Sequence, residues 1–245
     1  MRTICYKDLL IPQSEYDELL ARYSKFLKDN AKVNPTFWTK PYDFSNYPTV
    51  LDTDGDDVVR PDFLQNIADD VTAKYGNYGA DHIVTLIHED NWKSGSTKTR
   101  RGIWGTNYSY KYNNYHLQYC RWDKDNITNS FGTLNHEQDH TYDALIQVEL
   151  GIDVRPILGV SNYDKYTTHG GRPDDTIHAY HDYIKYDENA GKLKVLSPYL
   201  IAAYQAREAK HIEHIKGLKT TIIGLLERLV TLWREKLYQK NGNPK

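Results

Sequence analysis

A chain of 245 residues with 39% hydrophobic and 26% charged residues is typical of a soluble globular protein and is long enough to bury a substantial core. Its formal net charge of −2 provides no overall attraction to nucleic acid, and its two cysteines are too few for a disulfide scaffold. No segment has the apolar length of a membrane span or of a secretory signal, so a cytoplasmic or a phage- or virus-associated protein is expected.

The first ninety residues predict two helices and two strands. Apolar side chains at helical spacing predict a helix from Glu15 to Asp29, and a Pro/Tyr/Asn-rich connection follows it. A short strand is expected in the segment TVLDTDGDD. The segment RPDFLQNIADDVTAKYG has proline near its start and glycine just past its end, as helices commonly do, and DHIVTLIHE is typical of a buried strand.

The middle of the chain predicts a strand pair and then a long helix. Tyrosines alternate at Tyr108, Tyr110 and Tyr112 and resume after two asparagines, which indicates a strand interrupted by a turn or bulge, or a hairpin. The segment NSFGTLNHEQDHTYDALIQVELG begins with polar capping residues and ends at Gly151, so a helix is expected there. Further helices are predicted in TIHAYHDYIKY and SPYLIAAYQAREAKHIEHIKG.

The C-terminal segment has a seam of apolar residues at alternating spacings of four and three, formed by Leu218, Ile222, Leu225, Leu229 and Leu232. We interpret it as a helix packed on the domain. An intermolecular coiled coil, through which the C-terminal helix associates with a second copy, is the alternative.

The helix of the middle segment contains His136 and His140 with Glu137 between them. Residues four apart project from one helical face, so the two imidazoles can bind one metal ion. Glu137 would stand beside that ion without binding it, in position to take a proton from the water that the metal activates. The alternative is that these are ordinary side chains of a helix.

The motif His-Glu-x-x-His resembles that of the zincin metallopeptidases, whose active-site helix lies behind a mixed sheet. The resemblance covers roughly residues 80 to 150, and GIWGTNYSYKY occupies the place of the edge strand that lies above the metal and binds an extended peptide. The uncharged or apolar flanks that the family prefers are present at Thr133, Leu134, Thr141 and Tyr142, whereas Asp139 departs from the pattern because it is charged.

The resemblance implies an α+β fold with a zincin-like mixed sheet and an active-site helix, followed by a helical C-terminal part. Residues 1–150 would form the α+β part with the edge strand and the motif helix. Residues 151–245 would form the mainly helical part, which supplies the third ligand and ends in a basic helix pair.

The third metal ligand remains open between several residues. The metzincin subfamily has Gly and His three and six residues after the second motif histidine, where this chain has Asp143 and Ile146, so that class is excluded. Gluzincins supply a glutamate from a later helix with an aspartate four residues on, and here His178 and Asp182 have that spacing. His178 is therefore the first candidate. The competing residues are His169 and His181, with Glu149 the weakest; His169, Tyr180 or Tyr183 could instead donate a hydrogen bond to the tetrahedral intermediate.

Two other function classes are compatible with parts of the sequence. His181 and Asp182 form the dyad that names the HD-type metal-dependent phosphohydrolases, which are all-helical. A non-enzymatic binding protein would instead use basic residues of the C-terminal helices, namely Lys210, Lys216, Lys219, Arg228, Arg234, Lys236 and Lys240. Interleaved glutamates make that surface more typical of a solvated helix face.

The function predicted is zinc-dependent hydrolysis of a peptide bond, with one catalytic Zn²⁺ ion and Glu137 as general base. The partners expected are a peptide or protein substrate and, through the C-terminal helix, a second copy of the chain. Nucleic acid is not an expected partner.

Overall fold

The computed structural model describes residues 1–45, 49–51, 57–59, 63–92, 105–113, 115–159 and 184–240. The strands are β1 (Arg2–Asp8), β2 (Thr36–Tyr42), β3 (Thr49–Leu51), β4 (Asp57–Val59), β5 (His82–His88), β6 (Gly105–Tyr112) and β7 (Tyr115–Trp122). The helices are α1 (Gln13–Phe26), which continues into a π-helical turn at Leu27–Ala31, α2 (Phe63–Tyr75), α3 (Glu89–Trp92), α4 (Ile127–Leu150), α5 (Arg155–Leu158) and α6 (Ile184–Lys240).

Five strands form one mixed sheet in the order β2-β1-β5-β7-β6. The first four of these strands are parallel, and β6 pairs antiparallel with β7 at the edge. The register between β6 and β7 shifts between Ser109 and Tyr112, which confirms the predicted hairpin with an irregularity. The predicted α+β class is confirmed, and a sheet of this size is inconsistent with an all-helical phosphohydrolase.

Helices cover the two faces of the sheet and form two cores. Along β7, Cys120 and Trp122 face the core shared by α1, α4 and the beginning of α6, whereas Leu117 and Tyr119 face the core beneath α2. This alternation follows from the two-residue period of a strand, and it leaves β5 and β7 buried along their whole length. The motif helix α4 therefore packs directly on β6 and β7.

The strands β1 and β2 were not predicted. Buried β1 contains Lys7 and Asp8, which break its apolar run; the Lys7 ammonium donates to the Ile11 carbonyl at 2.6 Å, and Asp8 accepts from the His88 amide at 3.0 Å. The strand β2 lies at the sheet edge, where it tolerates Pro41, and it falls within the segment predicted as a connection.

The helix α4 has a defined signal at each end. The Asn126 side chain accepts from the amides of Thr128 and Asn129 at 3.0 and 3.2 Å, and Gly151 ends the helix in the left-handed conformation with φ of 67°. The prediction that the His-Glu-x-x-His motif lies within a helix is confirmed.

The last helix, α6, spans 57 residues and changes surroundings along its length. Leu193, Leu196, Leu200 and Ala203 are buried in the core with α1 and α4. The seam formed by Leu218, Ile222, Leu225, Leu229 and Leu232 is instead 46–60% exposed. The prediction that this seam packs on the domain is wrong, because α6 continues past the domain surface. Among the described residues, no helix is long and apolar enough to cross a membrane.

Candidate metal centre

The two motif histidines lie side by side on α4. Their ring centroids are 5.0 Å apart and their planes meet at 87°. His136 is buried and His140 is half-buried, so one imidazole is held within the protein while the other reaches solvent. Since zinc binds imidazole nitrogen at about 2.0–2.1 Å, two rings this close can supply two ligands to one ion.

Glu137 is enclosed between α4 and the sheet, with an exposed fraction of 4%. A Cβ atom at Gly105 of β6 would lie 2.8 Å from Glu137 Cγ and 2.9 Å from its Oε1. Glycine at position 105 therefore allows the edge-strand backbone to pass directly over the carboxylate. On the neighbouring strand, burial and the nearby Glu137 carboxylate hold the pKa of the Cys120 thiol well above its usual range, so this thiol stays protonated.

Asn107 connects the edge strand to the motif helix. Its side-chain amide donates to the Glu137 carbonyl at 3.1 Å and is also hydrogen-bonded to the Thr141 hydroxyl. Gly105 and Asn107 are two residues apart and so lie on the same face of β6. Sequence reasoning missed both residues; the two-residue spacing of Gly105 and Asn107 was the available signal.

Asp139, the charged residue within the motif, forms a buried ion pair. The Lys192 ammonium of α6 lies 3.3 Å from Asp139 Oδ2 and 3.1 Å from Asp143 Oδ2, and all three side chains are at most 5% exposed. Burial favours the neutral amine, but the two carboxylates outweigh it and hold the pKa of Lys192 above its usual value. Burial raises the pKa of Asp143 more than Lys192 lowers it. Asp139, which departs from the zincin pattern because it is charged, is therefore paired with the buried ammonium of Lys192.

A second buried polar group lies behind α4. Gln138 Nε2 and His82 Nδ1 are 2.9 Å apart, and His82 Nε2 lies 2.5 Å from the Tyr204 hydroxyl. The His82 ring stacks on His116, with centroids 5.5 Å apart. Burial holds the pKa of both imidazoles well below the usual value, so both are neutral. Because both nitrogens of His82 have hydrogen-bond partners, we assign this pair to the packing of α4 rather than to metal binding.

The remaining predicted site residues fall into two groups. Glu149 forms ion pairs with Arg207 at 3.4 Å and with Lys210 at 2.5 Å. It is nine residues beyond His140 on the same helix, about 13 Å along the axis. Its proposed role as third ligand is therefore wrong. The residues that lie outside the described part of the chain are His169, His178, Tyr180, His181, Asp182 and Tyr183. Their predicted roles remain predictions.

Within the described ranges, no group of three or more His, Cys, Asp or Glu side chains is arranged to bind a metal ion. The described centre thus consists of two imidazoles and an adjacent carboxylate. No protein-family model matches the sequence, and no curated protein or solved structure matches it either. The zincin resemblance accordingly rests on the motif and on what surrounds it.

Proposed function

We propose that the protein is a zinc-dependent peptidase that hydrolyses a peptide bond with Glu137 as general base. The observation that carries this proposal is the juxtaposition of three features. Two imidazoles lie with centroids 5.0 Å apart on α4, a carboxylate follows the first of them, and an antiparallel edge strand passes over that carboxylate.

The side chains of His136 and His140 fit two of the four positions that zinc takes in proteins, and a third ligand is sought first among His178, His169 and His181. Bound zinc would lower the pKa of a water molecule to about 7 and polarise the carbonyl of the substrate. The side chains and backbone of the protein would transfer the proton and bind the substrate.

Glu137 accepts a proton from the attacking water and passes it to the leaving amine. With an exposed fraction of 4%, the Glu137 side chain is largely shielded from bulk water at the point where it would transfer the proton. The hydrogen bonds of Asn107 fix the strand relative to the Glu137 backbone and to Thr141. The base is thereby held at a constant position beneath β6.

The edge strand β6 is suited to bind an extended peptide. In the described part of the chain β6 is the last strand in the sheet order and pairs with β7. A substrate that adds as a further strand would form main-chain hydrogen bonds there, with limited dependence on its side chains. The substrate class that fits is an unfolded peptide segment.

Zinc content measured by elemental analysis, together with cleavage of fluorescent casein, tests the proposal. We expect about one zinc per chain, lost in His136→Ala and in His140→Ala. His214→Ala, a histidine of α6 outside the motif, serves as the matched control and should keep the metal. A zinc-free wild-type protein, or motif variants that keep both metal and activity, would refute the assignment.

A further inference from the structure

The outer part of α6 exposes an apolar face along most of its length. Residues 215–236 project past the domain, and this stretch is about 33 Å long at 1.5 Å per residue. Its exposed apolar side chains, each 36–64% accessible, are Ile215, Leu218, Ile222, Ile223, Leu225, Leu226, Leu229, Val230, Leu232 and Trp233. A continuous apolar face of this extent marks an interaction surface.

This face contains two heptad seams rather than one. If Ile222 takes position a, the first seam follows the a and d positions, with Leu225 at d. The second seam starts at Ile223 and follows the b and e positions at spacings of three, four and three, and its members are Ile223, Leu226, Val230 and Trp233. Two neighbouring helices are therefore needed to cover the face of one α6.

The angle between the seams sets the number of copies. At 3.5 residues per turn, the centres of the a/d and b/e seams lie about 103° apart around the helix. In a closed ring each helix contacts two neighbours at the interior angle of a regular polygon, about 90° for four members and about 108° for five. The spacing of the seams matches a ring of four or five parallel helices.

Charges beside the seams are complementary between copies in such a ring. Arg228 and Glu235 occupy the g positions that flank the first seam, and Glu227 and Arg234 occupy the f positions that flank the second. Where the first seam of one copy meets the second seam of the next, Arg228 lies level with Glu227 of the next copy, and Glu235 with its Arg234. This alternation favours a second copy of the chain over an anionic membrane, which would require a uniformly basic polar face.

We propose that residues 218–236 of α6 assemble copies of this chain into a parallel helical bundle of four or five members. The assembly goes beyond the peptidase function and does not depend on it. Because the helices are parallel, the domains of all copies lie at the same end of the bundle.

Light scattering coupled to size exclusion, on the full chain, measures the number of copies directly. A mass of four or five chains supports the bundle, and any other mass overturns it. Leu225→Glu in the first seam and Leu226→Glu in the second should each reduce the mass to one or two chains. Thr231→Glu, at the c position outside both seams, should leave the mass unchanged. Circular dichroism confirms that each variant is folded, as expected for substitutions at exposed positions.

A charge exchange tests the register between copies. Arg228→Glu places two glutamates together at every contact and should raise the concentration for half-dissociation about tenfold or more. Adding Glu227→Arg places opposite charges together again at every contact between copies and should restore assembly. Residues 227 and 228 of one helix do not face each other, so the exchange acts between copies and not within one helix. If the double variant is as weak as the single one, the bundle is wrong. Monomers that co-sediment with anionic phospholipid vesicles would also overturn it, in favour of a membrane surface.

Discussion

Replacement of Gly105 by alanine tests the contact between the edge strand and the proposed base. The added methyl carbon would lie 2.8 Å from Glu137 Cγ and 3.0 Å from Thr133 Cγ2, where ordinary contact begins near 3.4 Å. The backbone of β6 and the buried side chain of Glu137 cannot both keep their positions. Overpacking of this kind costs about 1–3 kcal/mol of unfolding free energy. A displacement of about 1 Å at the reacting centre lowers the rate about 10²-fold.

Urea denaturation, zinc content and casein cleavage measure the three consequences of Gly105→Ala separately. Zinc content should be unchanged, because the substitution does not touch the imidazoles. Gly217→Ala is the matched control: its added carbon meets nothing within 4 Å, and the smaller entropy of the unfolded chain should stabilise the protein by about 0.4–1 kcal/mol. A Gly105→Ala variant with wild-type stability and rate would show that β6 does not pass over Glu137. Lost stability with an unchanged rate would remove Glu137 from the mechanism.

Further substitutions separate chemistry, metal binding and packing. Glu137→Gln should lower hydrolysis by at least about 10²- to 10⁴-fold while zinc stays bound; full activity would disprove the general base. Alanine substitution at each remaining ligand candidate should reveal one position where zinc affinity falls by more than the roughly 10- to 100-fold typical of an indirect effect, as titration with a chelator measures. The candidates are His178, His181 and His169. Lys192→Met leaves two buried carboxylates without their cation and should lower the free energy of unfolding, measured in urea, by about 3–5 kcal/mol. Adding Asp143→Asn should recover part of that loss. An unchanged stability of Lys192→Met would show that the triad is not buried. Finally, the pKa values of His82 and His116 are depressed in the folded protein, so just below about pH 6.5 these two histidines bind protons only in the unfolded chain. Their contribution to stability is therefore complete above that pH and is lost as the pH falls. The slope should be roughly 1.4 kcal/mol per pH unit for each histidine, and His116→Gln should remove half of that contribution; the same slope in the variant would contradict it.

The parts of the fold that could be predicted are those whose local pattern agrees with their burial. The strand β5 is a run of buried residues, and α4 has a polar cap at Asn126 and a glycine at 151, so pattern and structure coincide. In contrast, β1 places Lys7 and Asp8 in the interior, where they are stabilised by hydrogen bonds to distant residues. No local pattern reveals a polar side chain whose partner comes from elsewhere in the chain.

The same limit explains the outcome for the candidate site and for α6. Spacing alone placed His136 and His140 on one helical face, but the approach of Gly105 to Glu137 depends on how β6 packs. The heptad pattern of α6 specified an apolar face correctly. Whether the domain itself covers that face depends on the direction in which the helix leaves the core, which a periodic pattern does not contain.

The Lys192 cluster connects the motif helix to the search for the third ligand. Lys192 lies eight residues after the start of α6 and contacts Asp139, the neighbour of His140 in the chain. The candidates His181, His178 and His169 precede α6 by three, six and fifteen residues. At up to about 3.5 Å per residue, the shortest of these connections spans roughly 10 Å and the longest about 50 Å. The ion pair between Lys192 and Asp139 holds α6 against the motif helix, so the segment before α6 is joined to an element that contacts that helix, whereas Glu149 is fixed by its own helix about 13 Å away. The third ligand should therefore be sought in the segment before α6. Loss of zinc on substitution of a histidine in that segment would identify that histidine as the ligand that joins His136 and His140.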